Sequence, residues 1–319
     1  MMRVHVGQPP QPYTLIVDSA TAITWIGGSK PYVKTSSSLA TGKSMSIDMD
    51  DISLKGEQYV DSVHIGQESI IQSIGAGDSK GLPHNVDGIL GIGPTALSNG
   101  VISSEPEILT VVDNLFVQKG VIEMIGIFLE DSHGHIDFGA IDPRFAEKIK
   151  YFPISTAYTA EFYWSFDGSI SLGDQSILTG GPIAIHSASP VIRVADITFA
   201  KIQQLTGAVL DPSTQLLKLS PDQYYNMKSI IIKIGTAEFE LTPNACILPR
   251  KDNTLFGGEP GGIYLAFTPT LPFGEGVDVV LGIPFLKRYY VAYDAMNNRI
   301  GNVCHVHLFY HCWVIYYKN

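Results

Sequence analysis

Two short segments of this 319-residue chain share one pattern. Ile16-Val17-Asp18-Ser19-Ala20-Thr21 and Ala184-Ile185-His186-Ser187-Ala188-Ser189 each run two apolar residues, a polar one, Ser, Ala and a hydroxyl residue. A strand ending in Asp-Ser-small-Thr suits a carboxylate held at the base of a cleft. Two such loops face to face would bring their polar groups together, with the hydroxyls of Ser19, Thr21, Ser187 and Ser189 available to fix the geometry. Two carboxylates so placed cannot both ionise, so one keeps a proton while the other takes one from water. That is general acid–base chemistry on an amide, with water as the nucleophile. Here the repeat sets His186, not a second acid, opposite Asp18. A neutral imidazole could orient a water but cannot share a proton as a carboxyl does. A charged one would pair with Asp18 and hold it ionised.

The elements that must position these loops read mostly as strands. Tyr13 to Val17 is a β-rich run ending at Asp18, and Val4-His5-Val6-Gly7 reads as a strand and turn. Segments 62–66, 134–139 and 163–173 follow, the last continuing past a bend. Segments 229–234 and 238–241 look like a hairpin around Gly235-Thr236-Ala237. Helices are few and short: 107–118, 197–205 with Asp196 as N-cap, and 284–288. A second echo links Gly88-Ile89-Leu90-Gly91-Ile92-Gly93 with Val280-Leu281-Gly282-Ile283-Pro284-Phe285, in the same order as the first. Two lobes of related design, meeting near residue 155, explain both repeats.

Composition narrows the function class. The 31 acidic residues against 21 basic ones give a net charge of −10, which argues against nucleic acid or an anionic membrane as partner. Only 16% of residues are charged, and 31 Gly with 19 Pro imply many turns, as in a β-rich, often extracellular protein. The 45% apolar share is enough for a sizeable core. Three cysteines, Cys246, Cys304 and Cys312, cannot make a disulfide framework, and the odd count leaves at least one unpaired. No run reaches the roughly 18 apolar residues of a membrane span. No signal peptide precedes the first strand, so the chain is expected to be cytosolic or to lack its natural N-terminus.

At these motifs the chain resembles the pepsin family of aspartic endopeptidases, in particular its fungal polyporopepsin-like branch. Val6-Gly7-Gln8-Pro9-Pro10-Gln11, then Leu15 to Asp18 and Thr24-Trp25-Ile26-Gly27, match the family's first active-site region. Segments 31–36, 86–94, 113–116, 163–164, 199–209 and 293–301 follow in family order. The resemblance covers residues 4 to about 302. It implies an all-β, bilobal acid-protease fold of two related barrel-like lobes around a central cleft. The N-terminal lobe would be 1–154, without the family's first strand, the C-terminal lobe 155–302, and 303–319 a tail foreign to the family. It also implies a secreted monomer acting on a polypeptide in the cleft, with no cofactor and no metal.

Against that pattern three places depart. Asp18 falls on the family's first aspartate, but in Asp-Ser-Ala rather than Asp-Thr-Gly. Ala20 adds a methyl where backbones crowd. His186 falls on the second aspartate, with Ser187-Ala188-Ser189 where Thr-Gly-Thr is usual. A rival acid, Asp211 in Val209-Leu210-Asp211-Pro212, fits the repeat less well and reads as a surface turn. In the hairpin that closes over the family's cleft, Met49-Asp50-Asp51 replaces a tyrosine and glycines, and the two acids would repel carboxyl-rich substrates. The expectation is a protease homologue with little or no activity. A working endopeptidase with an Asp18/His186 site and a peptide-binding module without catalysis are the alternatives. The other histidines, His5, His64, His84, His133 and His135, sit singly and read as structural. The run Cys304, His305, His307, His311, Cys312 fits no familiar zinc spacing.

Overall fold

A computed structural model describes residues 1–49, 52–102, 107–131, 133–269 and 276–304. Among these residues the all-β, two-lobed expectation holds. The first seven-stranded sheet runs in the order Met2–Val6, Gln11–Asp18, Gly88–Gly91, Thr24–Ile26, Glu68–Lys80, Ile52–Ile65, Leu39–Met49. Met2–Val6 also pairs with Ile52–Ile65, with His5 opposite His64, so the sheet curls back on itself. The second runs Ala237–Leu241, Ile230–Ile234, Ser165–Leu172, Gln175–Ile185, Val279–Leu281, Ile192–Val194, Phe267–Pro269. Between them lies a five-stranded sheet drawn from both halves: Lys150–Pro153, Arg299–Cys304, Tyr289–Asp294, Met124–Leu129, Gly134–Phe138. A small sheet of Val209–Asp211, Leu216–Leu219 and Ile263–Tyr264 completes the set.

Both sequence echoes become one structural device. Gln11–Asp18 pairs in parallel with Gly88–Gly91, with Asp18 opposite Gly91. Gln175–Ile185 pairs in parallel with Val279–Leu281, with Ile185 opposite Leu281. Gly88–Gly91 and Val279–Leu281 are buried throughout, as short apolar runs beneath a parallel pairing should be. Gly91 and Gly282 end these runs where no side chain fits. A Cβ on Gly91 would lie 2.5 Å from Ile23 N, and one on Gly282 2.2 Å from Val191 O.

Three helices lie near their expected places, with shifted starts. The first is Val111–Lys119, not 107–118, because Thr110 caps it in a capping box with Asp113. The second, Asp196–Thr206, has Ala195 as N-cap without a side-chain bond, so Asp196 is its first residue and not its cap. The third is Ile283–Leu286. Pro143–Ala146 and Pro221–Asn226 were not expected; each is a single turn or so, opened by Pro after a polar cap. Among the described residues no helix is long and apolar enough to cross a membrane.

One hydrophobic core runs through both lobes. It includes Leu15, Val17, Leu90 and Ile92 on one side, and Ile183, Ile185, Leu281 and Phe285 on the other. Trp164 and Tyr293 lie in the same core, their rings 5.0 Å apart. The Trp164 indole N–H donates to the Ile92 carbonyl at 3.0 Å, and its own carbonyl accepts from Ile185 N–H at 2.9 Å. One residue thus ties the end of the first parallel pairing, through its side chain, to the strand that carries the second loop, through its backbone.

Candidate active site

Asp18 and His186 end equivalent strands, so the repeat itself brings them face to face. His186 Nε2 lies 2.9 Å from Asp18 Oδ1. Both are largely withdrawn from solvent, with side-chain exposures of 13% for His186 and 7% for Asp18. The Ala20 N–H donates to Asp18 Oδ1 at 2.8 Å. Burial works to raise the Asp18 carboxyl. The charge and hydrogen bond of His186, with the Ala20 N–H, outweigh it, so the carboxyl lies below its ordinary 3.8.

The loop hydroxyls divide into two pairs. The Ser19 N–H donates to Ser187 Oγ at 3.0 Å and the Ser187 N–H to Ser19 Oγ at 2.9 Å. The Ser19 hydroxyl then donates to the Ile185 carbonyl at 2.9 Å, and the Ser187 hydroxyl to the Val17 carbonyl at 2.7 Å. Each loop holds the other through a reciprocal, nearly two-fold set of bonds. Thr21 and Ser189 do not take part in it. Both are buried under their own loops, and the Ser189 hydroxyl donates to the Val191 carbonyl at 2.8 Å. Replacing Ser19 by alanine strands a carbonyl and an N–H at the lobe junction. We expect a loss of about 1–3 kcal/mol. Ser187→Ala should cost a similar amount. The double variant should depart from the sum, because each hydroxyl accepts the other residue's backbone N–H and the two sites are therefore coupled; urea melts of the three variants measure this.

Ala20 is less disruptive than its sequence position suggests. Its φ is not positive, and the residue is half-buried, so its methyl is carried without backbone strain. Met49 ends the strand Leu39–Met49 and packs against the cluster of Trp25, Met45, Leu54 and Ile89. The Trp25 indole N–H donates to Ser79 Oγ at 2.8 Å. Met49 pairs with Ile52, while Asp50 and Asp51 lie outside the described residues. Asp211 stands apart from the pair. Its carboxylate closes its own turn, accepting the Ser213 N–H at 2.8 Å and the Tyr264 hydroxyl at 2.9 Å.

Sequence reasoning did not find Tyr293, which is fully buried beside Ser19. Burial raises its hydroxyl, the Ser19 hydroxyl opposes this, and the Asp18 charge adds to it. No spacing rule marks it, since its neighbours Tyr289 to Asp294 are all buried. His135 is not the isolated residue expected either, because it faces Asp137 and Asp142. Cys246 is a buried free thiol that burial pushes up to about 12, which makes it unreactive. The histidines and the second cysteine of the terminal run lie outside the described residues.

The Asp18–His186 pair also sets the sign of a pH effect. A carboxyl depressed on folding stabilises the native state above its unfolded value, and that gain is lost as pH falls through the folded one. The stability advantage of the wild type over Asp18→Asn should therefore be full at about pH 5 and shrink towards about pH 2. Urea melts of both chains at the two pH values measure it.

A cleft floor of two equivalent strand ends, tied through paired hydroxyls, has clear relatives. Residues 1–303 match the profile of the family described as eukaryotic aspartyl protease. Polyporopepsin of Irpex lacteus is 37% identical over 314 residues, covering 94% of this chain and 92% of that protein. Human gastricsin is 25% identical over 336 residues, covering 93% of this chain and 79% of its own length. The crystal structure of an aspartic proteinase from Irpex lacteus superposes with a TM-score of 0.90 at 38% identity, covering 95% of this chain and 93% of the other. The chain therefore belongs to the pepsin-like family of eukaryotic aspartyl proteases.

Proposed function

We propose that this protein is a protease homologue that holds an extended peptide in its cleft and turns it over weakly or not at all. One observation carries the reading: an imidazole, not a carboxyl, lies 2.9 Å from Asp18. The chemistry proposed for paired carboxyls needs one of them protonated and the other ionised. Beside His186, Asp18 stays ionised and has no proton to give the scissile amide. An imidazolium bound to it has no free lone pair at Nε2 to take one from water. A carboxylate held ionised in this way does not divide a proton with its neighbour.

The scaffold around the pair supports retention of a shaped cleft. The Ser19–Ser187 bonds that join the two loops at its floor are complete. The same intact scaffold favours a second reading, a working endopeptidase in which His186 and Asp18 use altered chemistry. A fluorescent unstructured peptide separates the two, with binding read by anisotropy and cleavage by mass spectrometry between about pH 3 and 7. Binding without cleavage by a folded chain is the expected result. Cleavage that Asp18→Asn abolishes would establish the second reading and overturn the first. A folded chain that neither binds nor cleaves would overturn both.

A further inference from the structure

We propose that His135, Asp137 and Asp142 form a binding site for a divalent transition-metal ion, zinc by the chemistry of its donors. The site lies at the edge of the five-stranded sheet and is independent of the Asp18–His186 pair. His135 and Asp137 stand two apart on the strand Gly134–Phe138, so they share one face. Among the described residues that strand is the last in its sheet and pairs only with Met124–Leu129. Asp142 arrives from a separate element as the N-cap of Pro143–Ala146. One donor atom from each of the three lies within 4.8 Å of the other two.

The spacing suits a metal ion as well as a hydrogen bond. His135 Nε2 is 3.1 Å from Asp142 Oδ2 and 3.4 Å from Asp137 Oδ2. One N–H can point squarely at only one of these oxygens. A tetrahedral zinc ion with bonds of about 2.0–2.1 Å holds its ligand atoms about 3.3 Å apart, close to both separations. An imidazole with two carboxylates suits zinc better than calcium or magnesium, which prefer all-oxygen sites. The side chains of His135 and Asp137 are about one-third exposed, which leaves a side open for the ion to enter and for water as a fourth ligand.

The groups behind the donors hold them in place, as outer-shell partners do in metal sites. The imidazole of His135 stacks on Phe128 with ring centres 5.0 Å apart. The Tyr290 hydroxyl donates to Asp137 Oδ2 at 3.3 Å and accepts the Asp142 N–H at 2.9 Å, linking the two acids. Gly126 makes room for it, since a Cβ there would lie 1.8 Å from that hydroxyl. The Arg144 guanidinium grips both Asp142 oxygens and keeps this carboxyl ionised. Two carboxylates and one guanidinium leave a net charge of −1 around a neutral imidazole, which a dication can share.

The test uses the full chain, stripped by a chelator and titrated with zinc by calorimetry and with cobalt by visible absorption. His135→Gln and Asp137→Asn are run beside it, each first shown to melt cooperatively. The expected result is one equivalent bound by the wild type at this site and at least tenfold weaker binding in each variant. The cobalt spectrum of this site should be that of nitrogen and oxygen ligands. Equal affinity in wild type and both variants would overturn the proposal. So would no binding, or a thiolate charge-transfer band alone, which would place the metal on the Cys304–Cys312 run.

Discussion

Replacing His186 by aspartate should produce a chain that cleaves denatured protein in acid, at least a hundredfold faster than the wild type. The strand ends are already equivalent, and the Ser19–Ser187 bonds that aim them do not involve the His186 side chain. A carboxyl at that place would face Asp18 with no imidazole beside it to hold it ionised. Two carboxyls so close cannot both ionise, so one pKa rises and the pair again divides a proton. Acid–base catalysis of this kind contributes about 10²–10⁴-fold. Met49, folded against Trp25 and Met45 instead of presenting a hydroxyl over the cleft, limits the gain. Initial rates on a denatured protein between about pH 3 and 7 measure the effect. A folded His186→Asp chain no faster than the wild type would mean that the imidazole is not what disables the site.

Trp164→Ala should cost about 3–5 kcal/mol, the largest stability loss we expect from one side chain near the site. The ring is 5% exposed and packs on Tyr293, so its removal leaves a cavity that the flanking strands cannot close. Its indole N–H also carries the bond to Ile92 that crosses from one lobe to the other. Trp164→Phe keeps most of the packing and loses only that bond, so it should cost about 1–2 kcal/mol. Urea melts followed by tyrosine fluorescence and by circular dichroism measure both. In Trp164→Ala the two probes should separate, because the lobes then unfold less cooperatively.

The pairing of Asp18 with His186 was legible because the repeat carries it twice: two strands of the same pattern, each followed later by a buried apolar run ending in Gly. Helix starts were less legible, although the signals were there. A start at 107 passes over the capping box that Thr110 and Asp113 spell. Asp196 is a good cap residue by type, but Ala195 already has the extended backbone of a cap, and Asp196 sits inside the first turn. The fate of Met49 depends on Trp25, Met45 and Leu54, which only the sheet brings together. His135 and Asp137 could be placed on one strand face by alternation alone. Asp142 joins them through the chain's turn into a short helix, and no spacing rule predicts that.

The account rests on Asp18 being held ionised by His186. The most direct measurement is the titration of the Asp18 carboxyl carbon by NMR, in the wild type and in His186→Ala. The account predicts that Asp18 titrates below its ordinary 3.8 in the wild type, and higher once the imidazole is gone and burial acts unopposed. An Asp18 that titrates at or above 3.8 in the wild type, unchanged by His186→Ala, would contradict it.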